Sequence, residues 1–248
     1  MLTSIRSFTA ASIVALSLCS VPAFAQDESA EAESADEFTL SGNVALTSDY
    51  RFRGVSFSGG DFALQGGIDV AHESGFYVGT WASTIDADAG FGEMELDVYG
   101  GWAGDVAEGV SVDVGLLYYM YPTEDTGADT DYFEALASVG TQLGPVGATF
   151  GVGYSWDQEA LGDEDNLYLY TDFELGVANT PVTLTAHVGY TDGVFATQAD
   201  GTSFDWGIGA SYAVTDSLSL GFNYVDTQGP KFENVTDPGL FFTLAYSM

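Results

Sequence analysis

Apolar and polar residues alternate along residues 38–56, FTLSGNVALTSDYRFRGVS, for longer than anywhere else in the chain. The even positions are mostly apolar and the odd positions mostly polar, and only an extended strand sorts side chains with a period of two. Asp49, Arg51 and Arg53 therefore share one polar face of the predicted strand. We expect the rest of the chain to enclose that face.

The alternation continues in further segments of about ten residues, which brings the total to about 12 strands. This pattern predicts an all-β protein, a transmembrane antiparallel up-and-down β-barrel. For the third segment, 76–85, the sequence leaves open whether the set with Phe76 or the set with Tyr77 faces outward. The further segments are residues 62–71, 76–85, 94–103, 110–121, 132–141, 148–156, 167–175, 182–191, 204–213, 218–225 and 240–248.

The predicted connections alternate in length. Short turns follow the even-numbered strands, and longer acidic links follow the odd-numbered strands after the first, as in bacterial outer-membrane barrels. A soluble secreted sandwich would also alternate apolar and polar positions. Outward aromatic residues that gather near the strand ends favour the membrane barrel, because aromatic side chains mark both membrane interfaces. The clearest long links are residues 122–131, 157–165, 192–203 and 226–238.

The first 37 residues predict export. Residues 1–25 have the form of a secretory signal peptide, with Arg6 at its basic start and Ala23-Phe24-Ala25 as a cleavage site. Residues 26–37 are acidic and small, and they predict a disordered leader. Residues 38–248 form the predicted outer-membrane β-barrel domain, and Cys19, the only cysteine, lies in the signal segment.

Composition narrows the function further. The formal net charge is −33, which argues against nucleic-acid binding, because that binding depends largely on Lys and Arg at phosphates. No apolar run after residue 25 is long enough for a membrane helix, so a membrane function must use strands.

Three blocks carry a resemblance to a known family. Residues 47–56, TSDYRFRGVS, residues 75–83, GFYVGTWAS, and residues 95–101, ELDVYGG, resemble the TorF family of proposed porins. The resemblance implies an outer-membrane β-barrel of Gram-negative bacteria, with pore formation proposed and the solute undefined.

Inward positions of the predicted barrel collect carboxylates but only two arginines. Twelve strands should leave a narrow lumen, because eight-stranded barrels are filled and much larger ones are open. We therefore predict a narrow passive channel for small hydrophilic solutes that prefers cations. The predicted pore-lining residues are Asp49, Arg51, Arg53, Asp69, Glu95, Asp97, Asp113, Glu134, Asp172 and Glu174, and Asp205 also faces inward.

Arg51 and Arg53 allow two interpretations. If the first hairpin turns near Gly59, Arg51 falls opposite Gly67 and Arg53 opposite Gln65. The arginines would then narrow the channel from one wall and create a transverse field. Alternatively, both guanidinium groups neutralise Asp49, Asp69 and their neighbours, because each offers five donors.

Two other functions stay open. A structural or adhesive barrel would have a closed lumen, and its acidic loops would contact lipopolysaccharide through divalent cations. A hydrolase would need His187 with a lumenal serine and aspartate, but no spacing singles out such a triad. We predict no enzyme activity, no catalytic residue and no cofactor.

We also predict no metal site, because the loop carboxylates of residues 157–165 do not match a calcium-binding loop. The expected partners are outer-membrane lipid and lipopolysaccharide, the barrel-assembly machinery, and small solutes or ions.

Overall fold

The computed structural model describes residues 37–87, 90–124 and 127–248. The signal peptide predicted at residues 1–25, including Cys19, and the predicted leader apart from Glu37 lie outside the described residues. Within these described ranges, no helix is long and apolar enough to cross a membrane.

Twelve strands close into one antiparallel barrel, in which each strand pairs with its neighbours along the chain and the last pairs with the first. This confirms the predicted fold class and strand number. The barrel strands are β1 (Phe38–Thr47), β4 (Ala63–His72), β5 (Phe76–Thr84), β6 (Met94–Ala107), β7 (Val110–Met120), β8 (Tyr132–Leu143), β9 (Val146–Gln158), β10 (Glu164–Gly176), β11 (Val182–Gly193), β12 (Thr202–Ala213), β13 (Leu218–Thr227) and β14 (Gly239–Ser247). Two short strands, β2 (Arg51–Phe52) and β3 (Val55–Ser56), form a separate sheet.

The seam that closes the barrel is short. β1 and β14 align over five residue pairs, from Asn43 opposite Ser247 to Thr47 opposite Thr243. By contrast, β1 aligns with β4 over ten pairs. Two backbone hydrogen bonds between Gly42 and Met248, of 3.2 and 3.0 Å, extend the seam at its lower end.

The outer surface is apolar along the strands, as expected for contact with lipid. Leu40, Ile68 and Phe222 are each more than half exposed. The structure shows which side chains of β5 point outward, a point that the sequence left open. Phe76 and Val78 point outward, whereas Tyr77 points inward and its hydroxyl donates a 2.8 Å hydrogen bond to Asp113.

The first strand is shorter than predicted. β1 ends at Thr47, and residues 48–62, which we call the inner hairpin, fold into the barrel instead of continuing the strand. The predicted register is therefore wrong: Asn43 lies opposite Gly67 and Ala45 lies opposite Gln65, where Arg51 and Arg53 were expected.

A tight turn makes the inner hairpin possible. Arg53 and Gly54, between β2 and β3, have φ angles of +49° and +83°, which suits a two-residue turn with both central residues left-handed. A Cβ atom on Gly54 would lie 2.6 Å from Cβ of Thr227. Glycine is thus required here both by the backbone conformation and by the close approach of β13.

The hydrophobic core lies inside the barrel, at the end where the long loops emerge. Aromatic side chains of the inner hairpin pack there against aromatic side chains of the wall, so this half of the lumen is filled. The buried cluster consists of Tyr50, Phe52, Ala63, Ile85, Leu117, Tyr119, Tyr121 and Tyr132.

Candidate functional site in the barrel lumen

Asp49 holds the inner hairpin together. Its Oδ2 atom accepts a 2.5 Å hydrogen bond from Nε of Arg51, and its Oδ1 atom accepts bonds from the hydroxyls of Ser56 and Ser58 at 2.5 and 3.2 Å. The carboxylate thereby joins β2, β3 and the following segment. Asp49, Arg51 and Ser56 are all buried, so these polar groups are satisfied by one another rather than by bulk water.

Arg51 fastens the inner hairpin to the last long loop. Its Nη1 atom donates to the backbone oxygens of Val235 at 3.4 Å and Asp237 at 2.9 Å. The backbone nitrogen of Ser56 also donates to the Val235 oxygen, at 2.8 Å. Because an arginine fork serves several acceptors at once, this side chain anchors the hairpin against the loop that precedes β14.

Arg53 points towards a different wall. Its Nη2 atom lies 2.6 Å from Oε1 of Glu134 on β8, and its guanidinium carbon lies 4.1 Å from the ring centre of Tyr168 on β10. Burial alone would lower the pKa of Arg53, but the charge of Glu134 leads the contributions that raise it above its ordinary value. Arg53 is therefore a fixed positive charge. The expectation that both arginines project the same way from one strand is wrong, because the turn falls at Arg53.

Glu95 and Asp97 face the lumen from β6, and both are fully buried. The hydroxyl of Tyr50 donates a 3.1 Å hydrogen bond to Oε1 of Glu95. Burial, followed by the charge of Glu95, raises the pKa of Tyr50 well above its ordinary value, so this hydroxyl stays protonated as the donor. Among the described residues, Oε2 of Glu95 and both carboxylate oxygens of Asp97 have no hydrogen-bond partner.

The structure thus brings six of the ten predicted pore-lining residues into the filled half of the lumen. Two of them, Asp49 and Glu134, are paired with the two arginines, which leaves Glu95 and Asp97 without a positive partner on β6. The six are Asp49, Arg51, Arg53, Glu95, Asp97 and Glu134.

The other four lie nearer the short-turn end. Asp69 accepts a 2.6 Å hydrogen bond from the hydroxyl of Tyr99, and Asp113 accepts the bond from Tyr77 described above. Asp172 contacts His187, and Glu174 is exposed. These four carboxylates are separate from the inner hairpin.

His187 lies in a network of acidic and phenolic groups. Its Nδ1 atom is 2.5 Å from Asp172, and its Nε2 atom is 3.0 Å from Asp205 and 2.8 Å from the hydroxyl of Tyr168. No serine is among these partners in the part of the chain that the structure describes. The arrangement holds the imidazole in place but offers no nucleophile for a triad.

Inward tyrosines are the site residues that the sequence analysis missed. The hydroxyls of Tyr50, Tyr99 and Tyr119 each donate to an inward carboxylate, the last at 3.0 Å to Glu134. Inward glycines are the sequence feature that could have indicated these tyrosines, because inward glycines lie beside inward tyrosine rings. A Cβ atom on Gly151, opposite Tyr170, would lie 2.0 Å from that ring.

Typical metal ligands in proteins are the side chains of His, Cys, Asp and Glu. Among residues 37–87, 90–124 and 127–248, no group of three or more His, Cys, Asp or Glu side chains is placed to hold a metal ion. The lumen presents carboxylates, one tightly held hairpin and a lining of tyrosines. Such a lining can attract cations and can restrict which solutes pass through the lumen.

Solved structures share this architecture. The NanC porin aligns with a TM-score of 0.57 over 84% of this chain and 98% of its own, at 9% identity. A structure from a study of in-meso crystallisation of membrane proteins aligns with a TM-score of 0.56 over 84% of this chain and 83% of its own, also at 9% identity. At such low identity the likeness concerns the fold, which is that of porin barrels.

Sequence comparison gives a family but no activity. No curated protein matches the sequence. The narrower resemblance to the TorF family stays a prediction. The profile of a family described as bacterial proteins of unknown function, Gcw_chp, matches residues 31–242. The chain therefore belongs to the Gcw_chp family.

Proposed function

We propose that this protein is a narrow, cation-preferring channel of the bacterial outer membrane that passes small hydrophilic solutes or ions. The inner hairpin forms its constriction. Lipid and lipopolysaccharide, the latter bridged by divalent cations, surround the barrel, and the barrel-assembly machinery inserts it.

One observation carries the proposal, namely the charge imbalance at the level of the inner hairpin. Both arginines there are paired with carboxylates, at 2.5 Å for Arg51 with Asp49 and 2.6 Å for Arg53 with Glu134. Glu95 and Asp97 have no positive partner among the described residues, and they add negative charge when they are ionised. A lumen with such an excess concentrates cations and repels anions.

A second candidate, a structural barrel with a closed lumen, is favoured by the packing of the inner hairpin. Tyr50, Arg51 and Phe52 are each at most 6% exposed. The hairpin also contacts several walls, through Glu95 on β6, Glu134 on β8 and Tyr168 on β10. A plug held this firmly would stop conduction.

Single-channel recording in planar bilayers tests both candidates. Under a KCl gradient at low salt, we expect discrete conductance steps and a reversal potential of the cation-selective sign. The preference should weaken towards 1 M salt, where the screening length is about 3 Å. Heat-denatured protein is the control for detergent artefacts. An anion-selective reversal potential would refute the cation preference, and a folded protein without steps would favour the closed barrel.

A further inference from the structure

Two carboxylates on one face of β6 have no positively charged partner in the part of the chain that the structure describes. Glu95 and Asp97 are two residues apart on one strand, so their side chains project the same way and their Cα atoms are about 7 Å apart. Both side chains are fully buried. Within the described ranges, three of their four carboxylate oxygens have no hydrogen-bond partner, and the fourth accepts a hydrogen bond from the hydroxyl of Tyr50.

The surroundings of this pair are aromatic. Trp81 of β5 and Tyr119 of β7 lie directly opposite Asp97 in the register of the sheet. Tyr50 and Tyr121 belong to the same buried cluster, and burial, followed by the charge of Glu95, raises the pKa of Tyr121 well above its ordinary value. The electron-rich faces of such rings favour a cation, as do the carboxylates.

Both arginines of the inner hairpin are paired with other carboxylates. Arg53 is bonded to Glu134 and lies against Tyr168 on another wall, and the hydroxyl of Tyr119 donates to Glu134 rather than to Asp97. An unpaired buried carboxylate is strongly disfavoured in a protein interior. Glu95 and Asp97 must therefore either carry a proton or be balanced by a bound cation.

We propose that Glu95 and Asp97 form a binding site for one monovalent cation, an alkali metal or ammonium ion, with Tyr50 positioning Glu95. Two carboxylates without a third acidic ligand suit a single positive charge better than a tightly held divalent ion, in line with the absence of a three-ligand cluster from the described residues. This site is the position at which the proposed channel selects cations, so the inference rests on the proposed function. A proton on one or both carboxyls is the competing way to balance the charge.

Thermal stability in matched salts tests the site without needing an open channel. The refolded full-length barrel is heated at pH 8 in NaCl, in KCl and in N-methylglucamine chloride of equal ionic strength. N-methylglucamine is a bulky organic cation, and it serves as the salt without a compact monovalent ion. We expect an unfolding midpoint about 3–6 °C higher in the alkali salts when the ion is present at about ten times its dissociation constant.

Two variants assign any effect to the site. Asp97→Asn should abolish most of the difference between salts, and Glu95→Gln provides the same test if that variant fails to fold. Asp216→Asn, in an exposed turn, removes the same charge and should leave the difference intact. Equal midpoints of the wild-type protein in all three salts would overturn the site and favour protonated carboxyls. A cation-dependent midpoint in a barrel that does not conduct would keep the site and reject the channel.

Discussion

At the scale of single residues, Arg53 and Glu134 are opposite charges in a part of the lumen that water barely reaches. Their side chains are 8% and 0% exposed, and the hydroxyl of Tyr119 and the ring of Tyr168 complete the contacts. Burying such a pair costs free energy, but removing one partner costs far more, because it leaves an uncompensated buried charge.

We expect Arg53→Ala or Glu134→Ala alone to lower the free energy of unfolding by about 3–5 kcal/mol. The double variant Arg53→Met with Glu134→Met, which removes both charges and keeps volume, should lose much less. Urea unfolding of the refolded barrel measures this. Lys231→Met is the control, because the Lys231 pair with Asp226 is partly exposed and should contribute at most about 1 kcal/mol. Additive losses in the double variant would contradict the coupling.

At the scale of elements, the inner hairpin is the part that the alternation could not reveal. Apolar and polar residues alternate in β1 and in both short strands of the hairpin, so the pattern of residues 38–56 predicts one long strand. The length of this segment argues against one single strand, because a membrane-spanning strand needs only about 9–11 residues. The sequence Arg53-Gly54 also permits a tight turn. The chain is directed inward by local bonds of Asp49 within the hairpin and by long-range bonds of Arg51 to residues 235 and 237.

Replacing both arginines of the inner hairpin by alanine should enlarge the conductance and sharpen the cation preference. The change removes two positive charges and the contacts that hold the hairpin to the loop before β14 and to β8. Single-channel current and reversal potential measure the effect, with Lys231→Ala as a control that removes a positive charge from an outer loop. A folded double variant with unaltered conductance and selectivity would rule out the hairpin as the constriction.

At the scale of the whole molecule, the closed sheet explains why the fold could be predicted well. A period of two, repeated along the chain, indicates for most strands which face meets lipid, and neighbouring barrel strands pair in chain order. The facing of β5 could not be predicted, because both of its faces carry large apolar side chains. Packing determines which face of β5 points inward, since Trp81 packs against the buried cluster.

We expect residues 38–248 to run as a heat-modifiable band in detergent gels. A closed ladder satisfies the backbone groups of the strands and resists unfolding until heated. Gel mobility before and after boiling is the measurement. Identical mobility, together with solubility in the absence of detergent, would be incompatible with a membrane barrel.

The short seam between β1 and β14 also has a kinetic consequence. Every other neighbouring pair in the barrel joins strands that are adjacent along the chain, whereas the seam brings Thr47 beside Thr243. Closing so long a loop costs more chain entropy than forming a local hairpin, and only a few ladder pairs compensate for it. We therefore expect circularisation to be the late step of folding, and local opening of the folded barrel to start at the same place. In hydrogen exchange, the amides of Val44 and Leu46, which face β14, should then exchange before those of the long β9 and β10 ladder.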